Sequence, residues 1–305
     1  MSVPRHKLHA EGPELSRLVW GAWRALKVPG LDTPAPLARF IAEAVEMGVT
    51  SFDHADIYGG YRMEALFGEA LKLWGGPRRQ IEIVTKCGIG AKAPARPEHY
   101  VGHRDTSAGH IRASVDRSLA HFGTDYLDLL LIHRPDPFMD ADDAARGLED
   151  VVKAGKVRSI GVSNHLPSQL DLLQSRLSLP LVTNQVQASV MHVDPFFDGT
   201  FDQAQQMRAS PMIWSPLGGG AIFTGEDAVS IRVRAALQQV GARMGVEDIS
   251  QVALAWLLAH PAGLVPVLGT GSAQRLKAAI AASTLSFDRQ DWFVLMEAAR
   301  GVPMP

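Results

Sequence analysis

Short apolar runs alternate with amphipathic helical patterns along the whole chain. The apolar residues of these runs are nearly continuous rather than alternating with polar ones, which is typical of strands buried on both faces of a parallel sheet. Eight runs predict strands, at residues 15–20, 49–53, 81–86, 126–133, 157–163, 181–185, 211–215 and 264–268.

Apolar positions three or four residues apart predict helices between these strands. Leu37, Ile41 and Val45 form one such face before Gly48, and a second face from Met63 to Trp74 ends at a glycine pair. A third face covers 111–122, with Thr106 and Ser107 as candidates for its N-cap. Further helices are predicted at 141–153, 168–176, 198–207, 250–260 and 272–282, with two extra ones at 230–244 and 288–299.

Eight strand–helix units predict an α/β fold, a (β/α)8 TIM barrel with two additional helices. We expect residues 1–305 to form one domain, because no Ser/Gly/Pro-rich linker divides the chain. The stretch 5–16, with Gly12-Pro13 at its middle, is expected to form an N-terminal β-hairpin at the bottom of the barrel. A doubly wound sheet is the structural alternative, but no G-x-G-x-x-G sequence follows the first strand.

Composition narrows the class of protein. The chain has 46% hydrophobic residues and a net charge of −2, which excludes a disordered chain and disfavours a nucleic-acid or anionic-membrane binder. Its one cysteine, Cys87, excludes a disulfide framework or a Cys-rich zinc site and is expected to be inert packing. The N-terminus lacks an apolar signal-peptide core, and no window reaches the roughly 18 apolar residues of a membrane span. We therefore expect a cytoplasmic protein.

Three charged or titratable residues stand at the ends of predicted strands, where a barrel carries its chemistry. Asp53, Lys86 and His133 are expected to converge there, and Tyr58 follows Asp53 closely enough to fold back over the barrel mouth. Asp53 would keep Lys86 charged, and Lys86 would lower the pKa of Tyr58. Such a set polarises a carbonyl and delivers a proton, which indicates carbonyl reduction with an external hydride source. A metal site is rejected, because a lysine among the ligands would repel the cation.

Several motifs resemble the signatures of the aldo-keto reductase family, in family order and spacing. They are Phe52-Asp-x-Ala-x-x-Tyr-Gly59, Val84-Thr-Lys86, Leu129-Leu-Leu-Ile-His133, Gly161-Val-Ser-Asn164, Asn184-Gln185 and Trp214-Ser-Pro-Leu-Gly218. The stretches His54-Ala-Asp-Ile-Tyr-Gly-Gly60 and Ile132-His-Arg-Pro-Asp-Pro137 resemble a bacterial branch of that family. The resemblance covers essentially the whole chain.

The resemblance implies an oxidoreductase that reduces aldehydes or ketones to alcohols with NADPH. It implies a catalytic tetrad of Asp53, Tyr58, Lys86 and His133, with Tyr58 as the proton donor. Substrate contacts are expected at Trp23, Tyr58 and His133. Cofactor contacts are expected at Trp23, Asp53, Ser163, Asn164, Gln185, Trp214, Ser215, Leu217, Gly218, Gly269, Thr270, Gly271 and Arg275.

Within that set the implied roles differ. Ser163, Asn164 and Gln185 would hold the nicotinamide carboxamide, and Trp214 would stack on the ring. Ser215, Leu217 and Gly218 belong to the loop over the pyrophosphate. The segment 269–275 would hold the 2′-phosphate of NADPH, with Arg275 as a clamp that favours NADPH over NADH.

Two other functions stay open from the sequence. One is a Schiff-base lyase in which Lys86 attacks a carbonyl; the other is a cofactor-sensing binding protein, as in the potassium-channel β subunits. The small-molecule substrate is expected to be a partly apolar carbonyl compound. Its pocket would use Trp23, Ile57, Ile89, Arg134 and Met191, with the segment 87–106 as a lid. A monomer or weak oligomer is expected.

Overall fold

The structure is a computed structural model that describes residues 3–304. Eight of its strands, β3 to β5 and β8 to β12, form a closed parallel barrel in chain order, with β12 paired to β3. The strands are β1 (Arg5–Lys7), β2 (Glu14–Ser16), β3 (Val19–Gly21), β4 (Ser51–Asp53), β5 (Glu82–Cys87), β6 (Ile89–Gly90), β7 (His103–Arg104), β8 (Leu129–Ile132), β9 (Ile160–Ser163), β10 (Leu181–Gln187), β11 (Met212–Trp214) and β12 (Val265–Leu268).

Helices follow the barrel strands and form the outer layer. They are α1 (Pro34–Glu46), α2 (Tyr58–Tyr61), α3 (Met63–Trp74), α4 (Ala108–Phe122), α5 (Ala141–Lys153), α6 (Pro167–Gln174), α7 (Thr200–Met207), α8 (Ala221–Thr224), α9 (Ala228–Met244), α10 (Ile249–Leu258), α11 (Ala273–Ala281) and α12 (Arg289–Arg300). The predicted barrel, its two extra helices (α9 and α12) and the N-terminal hairpin are confirmed.

The first predicted strand covers parts of two elements. Its first residues belong to β2, which pairs antiparallel with β1, whereas the barrel strand β3 begins at Val19. Leu15 is fully buried like Val19, so the apolar pattern shows no break between hairpin and barrel. The side chains of Leu8 and Leu15 pack with the barrel interior, which places the hairpin at the bottom of the barrel. The C-terminal ends of the barrel strands, which carry the polar residues, lie at the opposite end of the barrel.

Local signals set several helix ends. The Ser107 hydroxyl accepts a hydrogen bond from the backbone N–H of His110, which confirms one of the two candidate caps of α4. Gly75 ends α3 with a φ of 71°, in the left-handed region where glycine carries no steric penalty. The pair β6–β7 and the short helices α2 and α8 lack a sequence signal of their own.

Among residues 3–304, no helix combines the length and the apolar character needed to cross a membrane.

Candidate active site

Two neighbouring barrel strands, β4 and β5, bring an ion pair to the mouth of the barrel. The Lys86 Nζ donates to both carboxylate oxygens of Asp53, at 2.8 and 2.7 Å, and to the His54 carbonyl oxygen at 2.7 Å. The side chains of Lys86 and Asp53 are almost completely buried. Burial alone would lower the pKa of Lys86, but the Asp53 carboxylate and the Tyr58 oxygen outweigh it, so that the pKa of Lys86 is raised. The expectation that Asp53 keeps this lysine charged is confirmed.

The loop after β4 positions Tyr58 above this pair. Its backbone first runs beside β5, where the Asp56 N–H donates to the Lys86 carbonyl oxygen at 3.0 Å. The chain then turns through Gly59 and Gly60, whose φ values of 61° and 66° favour glycine. The Tyr58 hydroxyl accepts a hydrogen bond of 3.2 Å from the Lys86 Nζ.

Burial and the neighbouring charges shift the pKa of Tyr58 in opposite directions. Burial is the largest influence and raises the pKa of the phenol, with a further increase from the Asp53 carboxylate. The Lys86 ammonium lowers this pKa, as expected, but by less than burial raises it, so the pKa of Tyr58 is raised overall. The physical reason is that the same closed loop that places Tyr58 on Lys86 also removes its oxygen from water.

His133 follows β8 and faces Tyr58. The two rings lie edge to face, with 5.9 Å between their centroids. The pKa of His133 lies well below its ordinary value, chiefly because of burial and then because of the Lys86 and Arg134 charges. The imidazole is therefore neutral at pH 7, and its buried Nδ1 has no partner among the described residues. A neutral imidazole can donate a hydrogen bond to a ligand oxygen.

A second set of polar side chains adjoins the ion pair. The Gln185 Nε2 donates to Asp53 Oδ1 at 2.8 Å, across 132 residues of sequence. The Asn164 Nδ2 donates to Ser163 Oγ at 2.7 Å, and the Trp214 Nε1 donates to Asn164 Oδ1 at 2.9 Å. The four residues expected to hold a nicotinamide thus lie in one continuous hydrogen-bond network with the expected tetrad. The bond from Gln185 to Asp53 is a link that no local sequence signal reveals.

Trp214 is half-exposed rather than a core aromatic. The Arg134 guanidinium lies 5.7 Å from the centre of its ring. Burial is also the main reason that the pKa of Arg134 is lowered, with a contribution from Arg104. Arg134 therefore places a positive charge beside the Trp214 ring, close enough to lower the pKa of both Tyr58 and His133.

Two segments with little side-chain bulk complete the mouth. After β11, Ser215, Gly218, Gly219 and Gly220 all have positive φ values, and Leu217 packs against the core. After β12, the Thr270 carbonyl oxygen accepts from Trp20 Nε1 at 2.7 Å, and Ser272 caps α11. The Gly271 position has no room for a side chain, since a Cβ would lie 2.6 Å from Val28.

The expected phosphate contacts stand at the outer side of these segments. Gly269 and Arg275 are exposed, with Arg275 in the first turn of α11. Exposed Trp23 lies in the turn after β3, beside Arg24, whose guanidinium donates to the Gly219 carbonyl oxygen at 3.3 Å. Arg24 thus bridges the two sides of the mouth. It was not among the predicted site residues, because this contact joins positions 195 residues apart and has no local sequence signal.

The other expected pocket residues surround the same mouth or its edge. Ile57 precedes Tyr58, Ile89 begins β6, and Met191 packs under Gly218. Cys87 is buried, and burial raises its thiol pKa well above the ordinary value, as expected for inert packing. The lid role of the segment 87–106 stays a prediction; the structure gives this segment the antiparallel pair β6–β7.

Comparison with known proteins identifies the family. Residues 17–299 match the sequence profile described as the Aldo/keto reductase family. The chain is 46% identical over 303 residues to the oxidoreductase YdhF of Escherichia coli, covering 99% of this chain and 100% of that protein. It is 48% identical over 288 residues to a 6-dehydroglucose reductase of Agrobacterium fabrum, covering 94% and 95% of the two chains.

A solved structure agrees with this relationship. The thermostable aldo-keto reductase Tm1743, in complex with the inhibitor epalrestat, superposes with a TM-score of 0.82 at 26% identity, covering 97% of this chain and 99% of the other. The barrel, the whole-length sequence similarity and the polar network at the strand ends have one explanation. The chain belongs to the aldo/keto reductase family of oxidoreductases.

Proposed function

We propose that this protein reduces aldehydes or ketones to alcohols with NADPH. One observation carries the proposal: the Lys86 ammonium, held by both oxygens of Asp53, lies 3.2 Å from the Tyr58 hydroxyl. A tyrosine is a poor acid near pH 7 unless its phenolate is stabilised as it forms. A fixed ammonium at hydrogen-bond distance supplies that stabilisation.

The residues act on the carbonyl oxygen. When bound, NADPH supplies the hydride for the carbonyl carbon. Tyr58 donates its proton to the oxygen as the C=O π bond breaks, and Lys86 stabilises the phenolate that is left. His133, neutral because its pKa lies well below the ordinary value, donates a hydrogen bond to the same oxygen and orients the carbonyl group. In the reverse direction the Tyr58 phenolate accepts the alcohol proton.

The surroundings fit a nicotinamide nucleotide. The half-exposed face of Trp214 suits a flat ring, and the amide groups of Asn164 and Gln185 suit a carboxamide. The glycine-rich segment 218–220 allows close approach of a pyrophosphate to the backbone. The exposed Arg275 at the start of α11 suits the 2′-phosphate that distinguishes NADPH from NADH.

The relatives favour oxidised sugars as the first compounds to test. Two of them, at 48% and 37% identity, are named 6-dehydroglucose reductase. The Arg134 guanidinium beside Tyr58 and His133 offers donors for hydroxyl or carboxylate oxygens of such a substrate. A panel of sugar aldehydes beside simple aldehydes and ketones will identify the substrate class.

The lyase alternative is disfavoured. Schiff-base formation needs a neutral amine, whereas the Asp53 carboxylate and the Tyr58 oxygen raise the pKa of Lys86 above its ordinary value. Borohydride treatment in the presence of a carbonyl substrate is expected to leave Lys86 unmodified. A trapped adduct on Lys86 would restore the lyase.

Replacing Tyr58 by phenylalanine tests the proposal. We expect Tyr58→Phe to keep NADPH affinity and to lower carbonyl reduction by about 10²–10⁴-fold, because the proton donor is lost. Turnover is measured from NADPH absorbance, and binding from tryptophan fluorescence. Tyr126→Phe, at the bottom of the barrel, is the matched control and is expected to react normally. Near-normal turnover in Tyr58→Phe would refute the assignment, and absence of turnover with every carbonyl in the native protein would favour the cofactor-sensing alternative.

A further inference from the structure

A second polar cavity lies outside the candidate active site. It has a volume of about 230 Å³ and lies between the loop after β4, the segment joining β6 to β7, and α4. The loop after β4, with α2, contributes Asp56 and Tyr61, and α4 contributes His110 and Arg117. The segment joining β6 to β7 contributes Arg96, Glu98 and His99. The cavity is smaller than the roughly 300–1,000 Å³ of sites for drug-sized molecules, so it suits a small ligand.

Two guanidinium groups of the cavity have no carboxylate partner among residues 3–304. The Arg117 side chain donates to Ser114 Oγ at 2.8 Å, and the Arg96 side chain lies over the Tyr61 ring at 4.8 Å. Both arginines are half-buried, which partly removes their charges from water. Unpaired, partly desolvated guanidinium groups that share one cavity attract an anion, because their fork of N–H donors matches oxyanion geometry.

The Asp56 side chain adds a donor rather than a competing charge. It is 8% exposed, and its Oδ1 has no hydrogen-bond partner among the described residues. Burial, followed by the nearby Glu64 carboxylate, raises the pKa of Asp56 to about 8. Asp56 is therefore protonated at pH 7, and a buried polar group without a partner is costly unless the cavity supplies one.

We propose that this cavity binds a small oxyanion of the phosphate or sulfate type. Arg96 and Arg117 supply the positive charge, and the Asp56 carboxyl supplies one further donor. Glu98, the other carboxylate at the cavity, is exposed and lies 3.9 Å from the His99 imidazole, so it opposes the anion only weakly. No group of three or more His, Cys, Asp or Glu side chains within 3–304 has metal-site geometry, so a cation is the weaker choice.

This site is separate from the one proposed for the cofactor phosphates. The cavity lies beside β4, β5 and α4, whereas the glycine-rich segments follow β11 and β12. The Asp56 N–H also donates to the Lys86 carbonyl oxygen at 3.0 Å. An anion held here would therefore rest on the same loop that carries Tyr58. It would come either from free phosphate or sulfate or from the phosphoryl group of a metabolite.

Calorimetric titration with sulfate tests the site. The protein is first saturated with NADPH, so that sulfate cannot occupy the cofactor's own phosphate sites. We expect one sulfate per chain, bound about tenfold or more weakly in Arg117→Gln and in Arg96→Gln, because each loses a charged hydrogen bond. Arg117→Lys keeps the positive charge and is expected to retain part of the affinity for sulfate. It therefore distinguishes loss of the binding charge from loss of folding. Lys92→Gln, an exposed lysine in the same segment, is the matched control and is expected to bind normally.

Three results would overturn the proposal. They are absence of saturable binding, equal weakening in Lys92→Gln, and loss of the signal in Arg275→Ala, which would place the sulfate at the cofactor site. Comparing inorganic phosphate with glycerol 3-phosphate separates the two sources. Tighter binding of glycerol 3-phosphate indicates a metabolite's phosphoryl group, and tighter binding of inorganic phosphate indicates the free anion.

The pH dependence gives a readout that a merely structural role of Asp56 would not produce. Sulfate keeps its charge between about pH 7 and pH 9, so any change in its affinity reports on the protein. Affinity is expected to fall as Asp56 ionises near pH 8, and Asp56→Asn is expected to remove most of that fall. An identical decline in Asp56→Asn would exclude Asp56 from the site. The other titratable or charged groups facing Asp56 are Tyr61, Glu64, Cys87, Arg96, Glu98, His99, His110 and Arg117.

Discussion

At the scale of single residues, the buried pair of Asp53 and Lys86 is the feature on which the site depends. Each charge alone would be costly in the barrel, and removal of one partner from a buried pair typically costs about 3–5 kcal/mol. The pair is completed by the His54 carbonyl oxygen and the Gln185 amide. Lys86 therefore remains an ammonium. Its three N–H groups serve four acceptors, the two Asp53 oxygens, the His54 carbonyl oxygen and the Tyr58 hydroxyl.

The preference for NADPH over NADH is expected to depend on one exposed residue, Arg275. Arg275→Ala is expected to weaken NADPH binding by about 10-fold or more while leaving NADH nearly unchanged, because only NADPH carries the 2′-phosphate. Quenching of tryptophan fluorescence gives both affinities. Lys277→Ala, exposed on the same helix, is the control. Equal losses for the two nucleotides would place the 2′-phosphate elsewhere.

The raised pKa of Asp56 predicts an unusual pH dependence of the free energy of unfolding. Its folded pKa of about 8 exceeds the ordinary 3.8, so the folded state binds a proton that the unfolded state releases. Its contribution to the free energy of unfolding therefore decreases as pH rises from about 4 to 8. In anion-free buffer, Asp56→Asn is expected to be more stable than the native protein at pH 8 and similar at low pH. The gain is about 1.4 kcal/mol for each unit of pKa shift.

Urea unfolding at the two pH values measures this difference. Asp125→Asn serves as control, because Asp125 is exposed and its replacement is expected to leave the pH dependence unchanged. If Asp56→Asn showed no advantage at the higher pH, Asp56 would be ionised in the folded protein, and the donor role in the anion site would fail with it.

At the scale of elements, α3 and α4 pack closely because α3 carries Gly68 at the contact. A Cβ at Gly68 would lie 1.9 Å from the His121 carbonyl oxygen, a backbone atom of α4 that cannot turn aside. The contact also brings Glu64 of α3 to Ser118 of α4, with both carboxylate oxygens 3.0 Å from the hydroxyl. The absence of a side chain at Gly68 thus sets the distance between α3 and α4.

Gly68→Ala is therefore expected to lower the free energy of unfolding by about 1–3 kcal/mol or more, through overpacking against fixed backbone. Gly109→Ala, near the start of α4, has open space around its Cβ and is expected to be neutral or to stabilise by up to about 1 kcal/mol. Thermal or urea unfolding of both variants makes the comparison. Equal effects at the two glycines would mean that α3 can move away from α4.

At the scale of the whole molecule, the two ends of the chain close the barrel together. β12 pairs with β3, and the Arg17 guanidinium donates to the carbonyl oxygens of Leu258, Gly263 and Leu264 at 3.2, 3.0 and 2.8 Å. Because the first and last barrel strands are neighbours, neither half of the chain can complete its sheet alone.

This closure predicts that residues 1–305 unfold as one domain. Urea unfolding followed by tryptophan fluorescence and by far-UV circular dichroism is expected to give coincident single transitions. Arg17→Met is expected to shift both curves equally to lower urea. Two separated transitions, or a shift in one probe alone, would show that the barrel contains independently unfolding parts.

Much of this architecture could be predicted because its signals are local. The strands are apolar runs, α3 ends at Gly75, and α4 begins after Ser107, all of which can be read within a few neighbouring residues. The positions of Asp53, Lys86 and His133 were also predictable, since a parallel barrel gathers its strand ends at one mouth. The exception is the boundary between the hairpin and the first barrel strand. Leu15 in the hairpin is as buried as Val19 in the strand, so the apolar pattern does not show where the barrel strand begins.

Periodicity and motif spacing were enough to predict the barrel, the family and the residues at the strand ends, because both are properties of contiguous chain. The electrostatics of the site could be described only from the folded structure. The raised pKa of Tyr58, the protonated Asp56 and the bond from Gln185 to Asp53 depend on burial and on neighbours distant in sequence. Proton affinity is set by the solvent and charges that surround a group in space, and those are fixed only when the chain has closed around it.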